Sequence, residues 1–168
     1  RVQDIPTIEA NSQLRTTKLE TGKWHGIRFN TKHTPYNDQK LRNAMAYSID
    51  RETITRTYFG GAASPAYLSE GNRWAWDSSV KPFEFNIDKA KATLAESGYT
   101  GTEVKIWCRS TTTETELCEI YQAMMAEAGI KLKITGVMPR DAWRGFVRGE
   151  YHMAPTTWRP RADPHGRL

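Results

Sequence analysis

Between Glu103 and Thr157 the hydrophobic period of this chain switches back and forth. Glu103 to Cys108 alternates like a strand, and Thr113 to Gly129 then carries Leu117, Ile120, Tyr121, Met124 and Met125 at helical spacing behind a Thr113/Glu116 capping box. Ile130 to Val137 alternates again, Asp141 to Arg148 reads as a short helix with Trp143, Phe146 and Val147, and Tyr151 to Thr157 reads as a last strand. Strand, helix, strand, helix, strand leaves little freedom of topology. A helix between two strands is a crossover, so the strands run mostly parallel with helices covering the sheet. The expected class is α/β, with a mixed, mostly parallel sheet flanked by helices.

Upstream, Asp38 is placed to cap a helix whose Leu41, Met45 and Ile49 fall on one face, and Asp50 caps a second helix from Arg51 to Tyr58. Gly60-Gly61 ends it. Asn86 caps Ile87 to Ser97, with Ala90 and Leu94 as the buried stripe and Gly98 as the stop. Before these helices, Leu14 to Glu20 and Lys23 to Asn30 alternate around Thr21-Gly22 and predict a hairpin, preceded by an extended lead-in from Arg1 to Ser12. Residues 62–85 show no periodicity and carry Trp74, Trp76 and Phe83. A long aromatic loop of that kind either lines a binding site or is pinned to the core by its tryptophans.

A chain of 168 residues with 38% hydrophobic residues supports one core, or one core with a smaller appendage. Six Trp and seven Tyr are a heavy aromatic load at this length, and part of it is expected at an amphipathic binding surface. The net charge of +5 is spread through helices, strands and loops without a basic run, which argues against a nucleic-acid partner. No apolar run is long enough to span a bilayer, so a soluble chain is expected, with any signal peptide removed or outside it. Cys108 ends a predicted strand and Cys118 lies in the next helix; a bridge is geometrically possible, but the spacing does not imply one.

Enzymatic templates find no match. Gly60-Gly61 follows a helix instead of opening one, no nucleophile elbow is present, and the histidines at 25, 33, 152 and 165 lack the i, i+4 spacing of a helical zinc pair. The acidic residues fall mostly at helix starts, where capping explains them. No catalytic residues, cofactor or metal are expected. The stretch that stands out is Trp158-Arg159-Pro160-Arg161-Ala162-Asp163-Pro164-His165, which follows a predicted strand and so lies where open α/β sheets bind ligands. Trp158 supplies a flat apolar face, and Arg159 or Arg161 supplies a planar fork matched to carboxylate or phosphate. Asp163 before Pro164 reads as a turn residue.

The run from Tyr36 to Ile54, with Phe29-Asn30-Thr31 before it and Phe59-Gly60-Gly61-Ala62 after it, resembles the signature of the peptide/nickel class of extracytoplasmic solute-binding proteins. Asn86 to Tyr99 and Glu127 to Leu132 are similar to the next motifs of that class, in the same order, so the resemblance covers nearly the whole chain. It implies one lobe of a periplasmic-binding-protein type II-like fold: residues 1–168 as an incomplete second lobe, with a missing first lobe and the ABC permease membrane subunits as partners. The implied location is periplasmic or otherwise extracytoplasmic and membrane-associated.

The implied function is capture of a small-molecule or peptide ligand for an importer, with no covalent chemistry. In peptide-binding members a Trp is followed three places later by an Asp that pairs with the peptide amine; here Arg161 stands there, which implies an anionic ligand or one without a free amine. Nickel-type members share Thr157-Trp158 and Asp163-Pro164-His165, which implies a chelate as another option. Candidate ligand contacts are therefore Trp158, Arg159, Arg161, Trp74, Trp76 and Asn30. The competing expectation is a small hydrolase or transferase with the aromatic loop as its lid.

Overall fold

The structure is a computed structural model that describes residues 4–17, 24–59, 77, 79–81 and 83–158, and of Trp24 and Trp158 the backbone. Its elements are, in order, α1 (Ile5–Glu9), β1 (Trp24–Phe29), α2 (Gln39–Tyr47), α3 (Arg51–Ile54), α4 (Ile87–Ala95), β2 (Val104–Arg109), α5 (Thr112–Glu127), β3 (Leu132–Val137), α6 (Pro139–Arg148) and β4 (Met153–Trp158). The chain divides into a larger unit, His25–Ile49 with Phe83–Thr157, and a smaller one, Arg1–Trp24 with Asp50–Pro82 and Trp158–Leu168.

In the larger unit Asp38 and Asn86 cap their helices where the sequence puts them, whereas α5 begins at Thr112 with Thr111 in the cap position instead of the expected Thr113, and α6 begins at Pro139 instead of Asp141. Asp38 is extended and its carboxylate accepts from Lys40 N and Leu41 N, while Leu41, Ala44 and Met45 form the buried stripe of α2. Asn86 does the same for Lys89 N at the start of α4. Two further bonds join these helices at opposite ends: Asn86 N donates to Tyr47 O at 3.0 Å, and Gly98 N donates to the second Asp38 oxygen at 2.8 Å. The start of each helix therefore meets the end of the other, so α2 and α4 run antiparallel. Gly98 was expected to stop α4 by its conformation; α4 ends earlier, at Ala95 with Glu96 as its cap, and Gly98 serves through its amide.

β2 and β3 pair in parallel, from Val104 opposite Leu132 to Arg109 opposite Val137, with α5 as the crossover. The inward face of β2, Val104, Ile106 and Cys108, is fully or almost fully buried against α5, which contributes Leu117, Cys118, Tyr121 and Met125. Each such side chain removed from water stabilises by about 1.5 to 3 kcal/mol. Cys108 and Cys118 form a disulfide, which the spacing alone left open. Beside it, Glu114 accepts from Arg109 N at 2.8 Å and from Arg109 Nε at 2.6 Å. The carboxyl end of β2 is thus tied to the first turns of α5 covalently and by a buried carboxylate.

Tyr36 closes the edge of β2. Its ring is buried, its hydroxyl donates to Lys105 O at 2.8 Å and accepts from Lys105 N, so it stands in for a neighbouring strand residue. Burial pushes its phenol up to about 12.

β1 pairs with β4. Asn30 N donates to His152 O at 2.8 Å at one end, and His25 meets Thr157 at the other, so numbers rise on one strand as they fall on its partner and the pair is antiparallel. Of the expected hairpin between Leu14–Glu20 and Lys23–Asn30, residues 18–23 lie outside the described residues, and β1 is seen paired with β4 instead. The described part of the hairpin's first arm, Leu14 to Thr17, is not a strand, and Leu14 stays 53% exposed. That arm had no apolar face to bury, whereas β4 brings Met153, fully buried. The α/β class holds, but the strands form two two-stranded sheets in place of the one mostly parallel sheet expected: β2 and β3 are parallel across the α5 crossover, while β4 does not join them and pairs antiparallel with β1, more than a hundred residues away.

In the smaller unit, α1 is a five-residue helix. Asp50 caps α3 through Thr53 N, and the chain continues as a π-type turn over Thr55–Phe59. Of the expected irregular segment 62–85, residues 77, 79–81 and 83–85 are described and hold no helix or strand; Trp74 and Trp76 lie outside the described residues.

Candidate ligand-binding site

The strand that leads into Trp158 is held at its foot by two side chains from the turn after β1. Asn30 is 8% exposed; its Nδ2 donates to Gly149 O at 2.9 Å and to Tyr151 O at 3.0 Å, and its Oδ1 accepts from Lys32 N. His33 Nε2 donates to the same Gly149 oxygen at 2.9 Å. Gly149 has φ 70°, a left-handed conformation that suits glycine and lets the chain leave α6 and turn toward β4. Both amide protons of Asn30, expected as a ligand contact, are thus engaged by the chain's own carbonyls.

Beneath this clamp the rings of His33 and His152 lie 4.7 Å apart, with Tyr36 edge-on to His152 at 5.8 Å. His152 Nδ1 is buried without a hydrogen-bond partner among the described residues. Burial, and then the nearby His33 and Lys105 charges, hold the His152 imidazole below its ordinary value. A histidine depressed in the folded state takes up its proton more readily unfolded. Its contribution to stability is therefore complete above the ordinary histidine value and is lost as pH falls through the lower folded one. The thermal midpoint is expected to drop between pH 7 and pH 5, and His152→Phe should flatten that part of the profile. An unchanged profile in the variant assigns the acid sensitivity to other groups.

At the opposite end of the ladder, His25 Nδ1 and Thr157 Oγ1 hydrogen-bond at 2.9 Å, one residue before Trp158. β4 therefore carries the Trp158 position about 17–20 Å from the clamp, the length of a six-residue strand. The Trp158 side chain, Arg159 and Arg161 lie outside the described residues, as do Trp74 and Trp76, so Asn30 is the one candidate contact whose side chain is described. No group of three His, Cys, Asp or Glu that could hold a metal occurs among the described residues.

Sequence reasoning did not find the His33–His152 stack or the His25–Thr157 pair. Their members are separated by more than a hundred residues and belong to no motif or period. Only the β1–β4 register brings them together.

This arrangement belongs to a known class of fold. The chain superposes on HbpA2 from Haemophilus parasuis with a TM-score of 0.78 and 26% identity, covering 96% of this chain and 33% of that one. It superposes on the binding protein AgaA, solved in complex with agropinic acid, from A.tumefacien R10, with a TM-score of 0.74 and 26% identity, over 92% of this chain and 32% of the other. Its fold is of the periplasmic-binding-protein type II-like class. The family model for bacterial extracellular solute-binding proteins, family 5 Middle, matches residues 1–167, and the chain belongs to that family. Among relatives, the glutathione-binding protein GsiB of Escherichia coli K12 is 29% identical over 132 residues, which are 77% of this chain and 26% of GsiB. The chain thus spans about a quarter of the length of such curated relatives. The family consists of transport binding proteins, not enzymes, which answers the hydrolase expectation.

Proposed function

We propose that this chain is the ligand-facing part of a solute-binding protein that captures a small anionic peptide-like compound or chelate and presents it to an ABC permease. The observation that carries the reading is the family match over residues 1–167 combined with Arg161, three positions after Trp158 in the sequence. Trp158, Trp74 and Trp76 supply apolar area, and Arg159 and Arg161 orient a carboxylate. Asn30 contributes by holding the foot of β4. GsiB and AgaA, whose names and complexes record glutathione and agropinic acid, set the first ligands to test.

Calorimetric titration of the protein with each compound should find binding to at least one. Arg161→Asp places a carboxylate where the ligand's own carboxylate docks, so affinity should fall at least a hundredfold, about 3 kcal/mol. Affinity unchanged in Arg161→Asp would sink the anion reading.

A further inference from the structure

The chain from Gly149 to His152 is held from one side by residues 30 and 33. Gly149 O accepts from Asn30 Nδ2 and His33 Nε2, Tyr151 O accepts from Asn30 Nδ2, and His152 O accepts from Asn30 N, all at 2.8 to 3.0 Å. Two further bonds, Gly149 N to Phe146 O and Glu150 N to Gly145 O, tie the same segment to the end of α6. Losing the first set therefore frees the start of β4 without detaching the chain from the helix before it.

His152 belongs to this clamp twice, through its carbonyl and through its ring, which lies 4.7 Å from the His33 ring and edge-on to Tyr36 at 5.8 Å. Gly149 O can only accept, so the bond to it puts a proton on His33 Nε2. His152 Nδ1 is buried with no hydrogen-bond partner among the described residues. The neutral ring therefore keeps its proton on Nε2 and buries a bare lone pair. A second proton places an N–H donor where nothing accepts it.

The groups facing the ring offer that charge no compensation. His33, from the turn after β1, and Lys105, from β2, both act against a cation at this position. Tyr36, with its phenol pushed up to about 12, stays neutral. A protonated His152 is thus disfavoured between His33 and Tyr36, and moving toward water relieves it.

We propose that the clamp at the foot of β4 is operated by a proton on His152: uptake of the proton drives the ring out from between His33 and Tyr36, and the bonds from Asn30 to the Tyr151 and His152 carbonyls open locally while the β2–β3 pair stays folded. The neutral form is the closed one. The clamp is therefore shut above the ordinary histidine value and opens as pH falls through the lower folded one. Acid loosens the start of the strand that runs from here to Trp158.

Native-state hydrogen exchange on the protein as it occurs in its host, read at single amides and corrected for the intrinsic effect of pH, follows the opening directly. From about pH 7 to about pH 5 the protection of the Asn30 amide should fall at least about tenfold. Low concentrations of urea should hardly change its exchange, because a local opening exposes little surface. The amides of Val104 and Ser110, which donate to Lys131 O and Val137 O across the parallel pair, should stay better protected at both pH values and show the full urea dependence of global unfolding. His152→Phe keeps a ring in the stack but takes no proton, and His152→Gln takes none without a ring. In either variant the fall at Asn30 should shrink to less than about threefold.

Equal protection of the Asn30 amide at the two pH values overturns the proton-operated clamp, since the ring then titrates without moving the backbone. A fall that survives in both variants overturns it too and assigns the acid response to other groups. An Asn30 amide with the same urea dependence as Val104 and Ser110 also overturns it, because the proton then acts only through unfolding of the whole chain. The wild-type comparison decides the opening by itself, and the variants decide whether His152 carries it.

Discussion

Replacing Cys108 and Cys118 together by alanine should lower the stability of the chain by about 3 kcal/mol, the loop-closure value for a ring of about ten residues. In a chain of this size that corresponds to a fall in thermal midpoint of roughly 6 to 12 °C. The cystine joins the carboxyl end of β2 to the second turn of α5, and both residues are essentially inaccessible, at 1% and 0% exposure. The bridge therefore restricts the unfolded chain across the crossover that closes the parallel pair. The lost sulfurs add a packing defect at two positions that are essentially fully buried. Urea denaturation read by circular dichroism gives the difference directly. In the native wild type neither cysteine should react with an alkylating reagent after mild reductant treatment, because the sulfurs are reached only by unfolding. A midpoint unchanged in the double variant would mean that the Glu114 bonds to Arg109 already hold this corner.

Asn30→Asp should cost about 2 to 4 kcal/mol, more than Asn30→Ala. The alanine leaves the Gly149 and Tyr151 carbonyls without their side-chain donors, at the usual cost of buried acceptors left unpaired. The aspartate adds a charge, 8% exposed at this position, facing two carbonyl oxygens. The two variants separate two roles for Asn30. If it is a structural clamp, both lower the thermal midpoint, and ligand affinity falls only as far as β4 loosens. If affinity collapses while the midpoint holds, Asn30 touches the ligand and the clamp is incidental. Thermal denaturation and titration calorimetry on the same preparations decide it.

The two predictions mark where sequence reasoning succeeded and where it stopped. Helices were legible because their determinants are local. Asp38, Asp50 and Asn86 bond amides two or three residues away, and Leu41 and Met45 in α2, like Leu117, Tyr121 and Met125 in α5, recur at the period of one turn. The strands flanking α5 were legible for the same reason, since a strand, a helix and a strand in close succession admit one economical crossover. The partner of β1 was not legible. Thr21-Gly22 favoured a local hairpin, but pairing is decided by which strand brings a buried face, and that strand lies beyond residue 150.

The segment proposed to bind ligand was singled out by sequence alone, from Trp158 and the arginines that follow the last strand. The clamp at the foot of β4 could not be, because it depends on Asn30 and His33 meeting carbonyl oxygens 116 to 121 residues away. Nor could the sequence tell which side of α6 faces outward. Trp143, Phe146 and Val147 read equally well as a buried stripe, until Gly145 takes the inner position against Trp107.

The amino-acid sequence by itself determined the capped helices, the α/β alternation and the family resemblance, since these rest on contacts within a turn or two of the chain. Only the tertiary structure decided the β1–β4 pairing, the closing of the Cys108–Cys118 bridge, the binding of Asn30 into the backbone and the packing of Gly145 of α6 on Trp107. Each of these depends on which distant groups come within bonding distance, and burial and register across the whole fold, not local preference, select among the pairings that one sequence allows.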